Sequence, residues 1–215
     1  MARGPRTAGV LAASMLALAG LTGCGGGSED SDEKSVAAEE LCEGNLSTDA
    51  ARAVENTSGT KEFVPYDNSE VGDAAEELTI DQGLGETKNH SVCSIYTPNS
   101  GDLAAIRIRF SVDTGDSLGE SGHAASFKEY SVGREALASP QKAVLYIECR
   151  SSKFMGSENS PVLLRGELLN RDSPKGHAED LRRANLTVLH SVTLALTKEL
   201  DCADKAGLST KPSFR

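Results

Sequence analysis

The chain reads as an α+β protein: an antiparallel sheet with helices packed on it, held by two disulfides. Three observations carry that reading. "LAAIRIRFSV" alternates Ile106, Ile108, Phe110 and Val112 with Arg107 and Arg109, the period-two pattern of a half-buried strand. "HAEDLRRANLTVLHSVTLALTKELDC" places Leu181, Val188, Leu189, Val192, Ala195 and Leu196 on one helical face. Cys42, Cys93, Cys149 and Cys202 form an even set after the isolated Cys24, as a disulfide framework requires.

In chain order, the first segment is an address rather than a fold. "MARGPR" supplies two positive charges, "VLAASMLALAGL" is an apolar stretch, and small residues close it. Twelve helical residues rise only about 18 Å, short of a bilayer core of about 30 Å. The pattern predicts an export signal over 1–23. Its last residues, Leu21-Thr22-Gly23-Cys24, resemble the bacterial lipobox: an aliphatic residue, two small ones, then the cysteine to be lipidated. That resemblance implies that Cys24 becomes the first mature residue and carries diacylglyceryl and palmitate-type chains. Two or three acyl chains anchor stably where one does not. "GGGSEDSDEKS" then reads as a tether, so 24–36 is expected to be a lipidated cysteine and an acidic linker.

A single domain is expected over 37–205. "LSTDAARAVENTSG" predicts a helix capped by Ser47 or Thr48 and stopped by Gly59. "NSEVGDAAEELT" predicts a second, with Val71, Ala74, Ala75 and Leu78 on one face. Strands follow in "HSVCSIYT", "LAAIRIRFSV", "AVLYIECRS" and "PVLLRGELLN". The Gly/Ser-rich stretch 113–142 reads as a long connection with a turn or two of helix. On the closing helix, Leu186, Leu194 and His190 lie opposite the main apolar face, which predicts a cover on that side too. Residues 206–215 read as a C-terminal tail.

Four cysteines allow three pairings. Cys93 and Cys149 sit in strand-like sequence, whereas Cys42 precedes one helix and Cys202 ends another, which favours Cys42–Cys93 and Cys149–Cys202. Each staple would join a helix to a strand. The hairpins after Cys93 and Cys149 echo one another, which suggests two related halves sharing one sheet; chance similarity of hairpins accounts for the echo equally well.

The net charge of −10 becomes −12 once residues 1–23, with Arg3 and Arg6 and no acid, are removed. Such a chain lacks the basic footprint of a nucleic-acid binder. No CxxC and no Cys/His spacing suits zinc, so neither metal nor cofactor is expected.

Two short motifs suggest catalysis. "GDSL", Gly115–Leu118, resembles the nucleophile block of GDSL-type esterases, which would make Ser117 the nucleophile. That family places the block near its start and closes with a DxxH; here the block is mid-chain, no DxxH exists, and only His123 is near. "FSVDTG" resembles the strand and DTG of aspartic proteases, with Asp113 as the acid. A dyad needs a second carboxylate, and no second DTG or DSG exists. A polar Asp/Gly turn closing the strand accounts for both. His90, His123, His177 and His190 share no spacing. Arg107 and Arg109 would join Arg150 and Arg165 in a basic stripe if their strands are neighbours. A solvated face paired with Asp or Glu is the commoner outcome. Asn45, Asn56, Asn89 and Asn185 fit the N-glycosylation pattern, which a bacterial lipobox deprives of meaning.

"GREALASPQKAVLYIECRSS", the closing helix into "LDC", and "LCEGNLSTDAARAVENTSGTKEF" together resemble small exported lipoproteins of Streptomyces-type actinobacteria. The resemblance spans about Leu41 to Cys202 and implies a lipid anchor and paired cysteines, with no activity attached. The expected function is a non-enzymatic binding or interaction module of the cell envelope, lipid-anchored on the extracytoplasmic face of the cell membrane. Its partners would be the bilayer, through acylated Cys24, and an envelope protein or wall polymer, with no nucleic acid. The alternative is a solute-binding lipoprotein of a transporter, which a ligand-sized apolar pocket would favour. A hydrolase ranks third.

Overall fold

A computed structural model describes residues 35–66, 70–116, 118, 126–157, 160–172 and 174–214. The signal segment, Cys24, Ser117 and His123 therefore lie outside the described residues. Glu33–Arg215 forms a compact unit by itself and holds both disulfides and every named element.

Helix α1 spans Thr48–Ser58. Ser47 caps it: its Oγ accepts the amide of Ala50 at 3.2 Å, and Gly59 ends it at a φ of 71°. That positive φ suits glycine, which meets no Cβ penalty there. Helix α2, Val71–Leu84, runs five residues past the stretch expected from the sequence. Its buried Val71, Ala74, Ala75 and Leu78 are those of the expected face. Helix α3 spans Ala178–Glu199, and its Leu181, Val188, Leu189, Val192 and Leu196 are buried, whereas Ala195, expected on the same face, is only half-buried. Leu186 and His190 are buried as well. The cover over the far side comes in part from residues 206–214, expected as a tail. Leu208 is buried, and the Phe214 ring meets Tyr130 edge-on at 5.9 Å.

Six strands form one antiparallel sheet: β1 His90–Ile95, β2 Ile106–Val112, β3 Lys128–Tyr130, β4 Glu135–Ala138, β5 Lys142–Cys149 and β6 Val162–Asn170. Their order is β1-β2-β6-β5-β4-β3. Strands β3 and β4 correct the sequence reading, which took 113–142 as a connection. Glu135-Ala-Leu-Ala138 has helix-forming composition, yet it pairs with β3 on one side and β5 on the other. Tertiary pairing overrides the local preference. The two cysteine-bearing hairpins meet through β2 and β6, with Ile108 opposite Leu168.

Period-two alternation divides the sheet into two faces. Ile106, Ile108, Phe110, Leu145, Ile147 and Leu164 point inward and are all at most 1% exposed. Helix α2 packs over β1 and β2, α3 over β4, β5 and β6, and α1 against α3. Gly166 lets the layers approach: a Cβ there would lie 2.6 Å from the Phe110 ring and 3.2 Å from Leu189. The opposite face carries a smaller apolar cluster of Leu137, Val144 and Tyr146, covered by Leu118, Phe127 and Leu163.

Cys42 is bonded to Cys93 and Cys149 to Cys202, with Cα–Cα distances of 5.2 and 5.1 Å. The second staple is reinforced where Ser151 Oγ donates to the carbonyl of Leu200 and the Ala203 amide donates to that of Arg150. Among the described residues no helix is long and apolar enough to cross a membrane.

Candidate functional site

The outer face of β2, β6 and β5 gathers the charges that the sequence scatters. Antiparallel register sets Arg109 opposite Glu167 and Tyr146 opposite Arg165. Glu167 is 3% exposed. Its Oε1 accepts Arg109 Nη2 at 2.5 Å; its Oε2 accepts Lys142 Nζ at 2.7 Å and Arg165 Nη2 at 2.5 Å. A buried carboxylate needs such partners to stay ionised. Burial pushes the Glu167 carboxyl up, and the hydrogen bonds from Lys142, Arg109 and Arg165 more than reverse it, holding it at about 2.

One carboxylate thus faces three cations. Arg107, two residues before Arg109 on the same strand face, is exposed and makes no ion pair among the described residues. Leu169 lies beside it across the β2–β6 ladder and is 43% exposed. The patch is net positive on a chain of net charge −10. Such a surface can hold carboxylate or phosphate oxygens, for which arginine offers a planar fork of donors.

The sequence reading made a stripe of Arg107, Arg109 and Arg165 conditional on neighbouring strands and favoured pairing with an acid; the strands are neighbours, and Arg109 and Arg165 are paired with Glu167. Arg150 falls just past the end of β5 rather than inside this cluster. Lys142 and Glu167 were missed. The available signal was Glu167 itself, an acid inside "PVLLRGELLN" two residues from Arg165 and so on the same face.

The catalytic motifs resolve differently. Asp113 follows β2, and its Oδ1 accepts the Gly115 amide at 2.7 Å, an Asx turn. Thr114 Oγ1 donates to Asp116 at 2.8 Å. Ser117 and His123 are not described. His177 stands at the N-cap of α3 without a capping bond. His90 lies between carboxylates, Nδ1 at 2.7 Å from Glu77 and Nε2 at 2.7 Å from buried Asp81. It ties the end of α2 to β1. Burial pushes the His190 imidazole down, against a hydrogen bond to the Ser209 backbone that raises it. No group of three or more His, Cys, Asp or Glu among the described residues is placed to hold a metal.

A second feature lies on the helical side. A groove of about 690 Å³ runs between the start of α1 and the last turns of α3. Its floor is Leu46, Leu194 and Ala195, and Lys198, Asp201 and Lys205 stand on its rim. The wall is settled internally: the Ser47 amide donates to Ser191 Oγ at 2.8 Å, and Ser191 Oγ donates to the Asn45 carbonyl at 3.0 Å.

No protein-family model, curated protein or solved structure matches the chain.

Proposed function

We propose that this protein is a lipid-anchored module of the bacterial cell envelope. Acylated Cys24 holds it outside the cytoplasmic membrane, and the outer face of its sheet binds an anionic partner, a wall polymer bearing phosphate or carboxylate groups. One observation carries the binding half of this reading. Arg109, Lys142 and Arg165 converge on a single buried carboxylate, beside Arg107, which makes no ion pair among the described residues, a cluster of cations on an acidic molecule. The location is supported by the Leu21–Cys24 tetrad after an apolar stretch. The two disulfides add to it, since such bonds persist in oxidising surroundings.

Arg107 is the residue to test, because it takes no part in holding Glu167. Soluble polyphosphate serves as a surrogate polymer. Binding to the unit from Glu33 onward is expected to fall steeply with salt, and Arg107→Glu should weaken it about fivefold at low ionic strength. Binding that is insensitive to both salt and Arg107→Glu would remove the sheet face from the proposal.

A second reading, a solute-binding lipoprotein serving a transporter, is favoured by the groove beside α3, whose volume falls in the range of small-ligand sites.

A further inference from the structure

We infer that the groove between α1 and α3 is a binding site for a single-chain amphiphile with an anionic head. The inference does not rest on the sheet-face reading.

The floor accounts for the chain of such a ligand. Leu46, Leu194 and Ala195 all line the groove, Leu46 buried and Leu194 and Ala195 half-buried. The polar groups of the wall, Ser47 and Ser191, already satisfy one another and Asn45. The floor therefore offers apolar contact without demanding further hydrogen bonds.

The rim accounts for the head. Of its three charged groups, Asp201 is engaged by Lys153 at 3.1 Å, outside the groove lining. Lys198 and Lys205 make no ion pair among the described residues. Two uncommitted ammonium groups over an apolar floor complement a negative head joined to a hydrocarbon chain. A cationic amphiphile would meet them with repulsion.

The backbone supplies a third observation. Cys42, Glu43 and Gly44 turn left-handed, with φ of 51°, 59° and 73°. Asp204, Lys205, Ala206 and Gly207 do the same, with φ of 49°, 52°, 53° and 76°. For residues other than glycine this conformation costs about 1–2 kcal/mol each. Both turns contribute to the groove, through Gly44 and Lys205; the first contains the disulfide cysteine Cys42 and the second follows Cys202. Strained backbone persists where the surroundings over-determine it, and such residues cluster at ligand clamps. Here the second turn holds Lys205 at the rim.

The test is calorimetric titration of the unit from Glu33 onward with dodecanoate below its micelle concentration. One saturable site is expected. The double variant Lys198→Gln, Lys205→Gln should weaken binding about tenfold, the effect of removing two exposed charge contacts. Ala195→Trp should fill the groove and abolish binding, with retention of both disulfides and of the circular dichroism spectrum as the control for folding. Dodecyltrimethylammonium, which reverses the head charge, should bind at least about tenfold more weakly. Arg107→Glu should leave dodecanoate affinity unchanged. Any of these results would overturn the inference: no saturable binding, equal affinity for the two head charges, indifference to the lysine variant, or loss of binding on Arg107→Glu. Association with anionic vesicles without binding of monomeric dodecanoate would overturn it as well. If Ala195→Trp fails to fold, the lysine variant and the opposite-charge ligand still decide.

Discussion

Glu167 shows how one residue organises a sheet face. Its carboxylate is buried, yet the cations from β2, β5 and β6 hold it ionised. Because its folded value is depressed from 4.5 to about 2, it contributes stability above pH 4.5, and that contribution is lost as pH falls through about 2. Glu167→Gln should therefore cost about 2 kcal/mol at pH 7, less than a fully buried pair because its partners are partly exposed. The difference from the unsubstituted protein should shrink from pH 4.5 downward and vanish below about pH 2. Urea unfolding across that range measures it. A difference independent of pH would mean that Glu167 acts through shape rather than charge. Gly166, its neighbour, works on the other face. Gly166→Ala would drive a Cβ to 2.6 Å from the Phe110 ring, so a loss of about 1–3 kcal/mol is expected in the same assay.

At the scale of elements, legibility follows how far each signal is local. Strand β2 and helix α3 were readable because alternation and helical periodicity are written within each segment. So was α1, whose cap Ser47 and stop Gly59 act on adjacent backbone. The last turn of α2 was not. Ile80 and Leu84 are exposed, so no apolar period announces it. Buried Asp81 instead bonds to His90, a contact across a chain turn. Strands β3 and β4 were illegible because Glu135–Ala138 favours helix by composition and is extended only through its partners. Gly133 between them has a φ of 63°, and a Cβ there would lie 2.5 Å from the Tyr146 carbonyl oxygen. Gly133→Ala should destabilise this hairpin, seen as faster amide exchange in β3 and β4 with little change in α1. The candidate site was half legible: its arginines alternate visibly along β2, but the register that brings Lys142 and Glu167 to them is a property of the whole sheet. The staples belong to this scale too. In the chain-entropy view, loops of 51 and 53 residues are each worth about 4 kcal/mol. Cys149→Ala with Cys202→Ala should lower the thermal midpoint sharply, since the second staple ties the end of α3 to the sheet.

At the scale of the whole molecule, a stapled α+β unit follows a segment proposed to end in a lipid anchor at Cys24. The unit is acidic, with Arg107, Arg109, Lys142 and Arg165 grouped where β2, β5 and β6 meet and Lys198 and Lys205 beside one groove. Both features would serve a module that meets its partners close to a membrane. Acylated Cys24 is proposed to place it there. The most direct measurement is mass spectrometry of the N-terminal peptide of the protein isolated from bacterial membranes. A peptide beginning at Cys24, with a diacylglyceryl group on its sulfur, is expected, together with release of a Cys24→Ala variant from the membrane fraction. An unmodified Cys24 within a peptide continuous with Leu21-Thr22-Gly23 would contradict it.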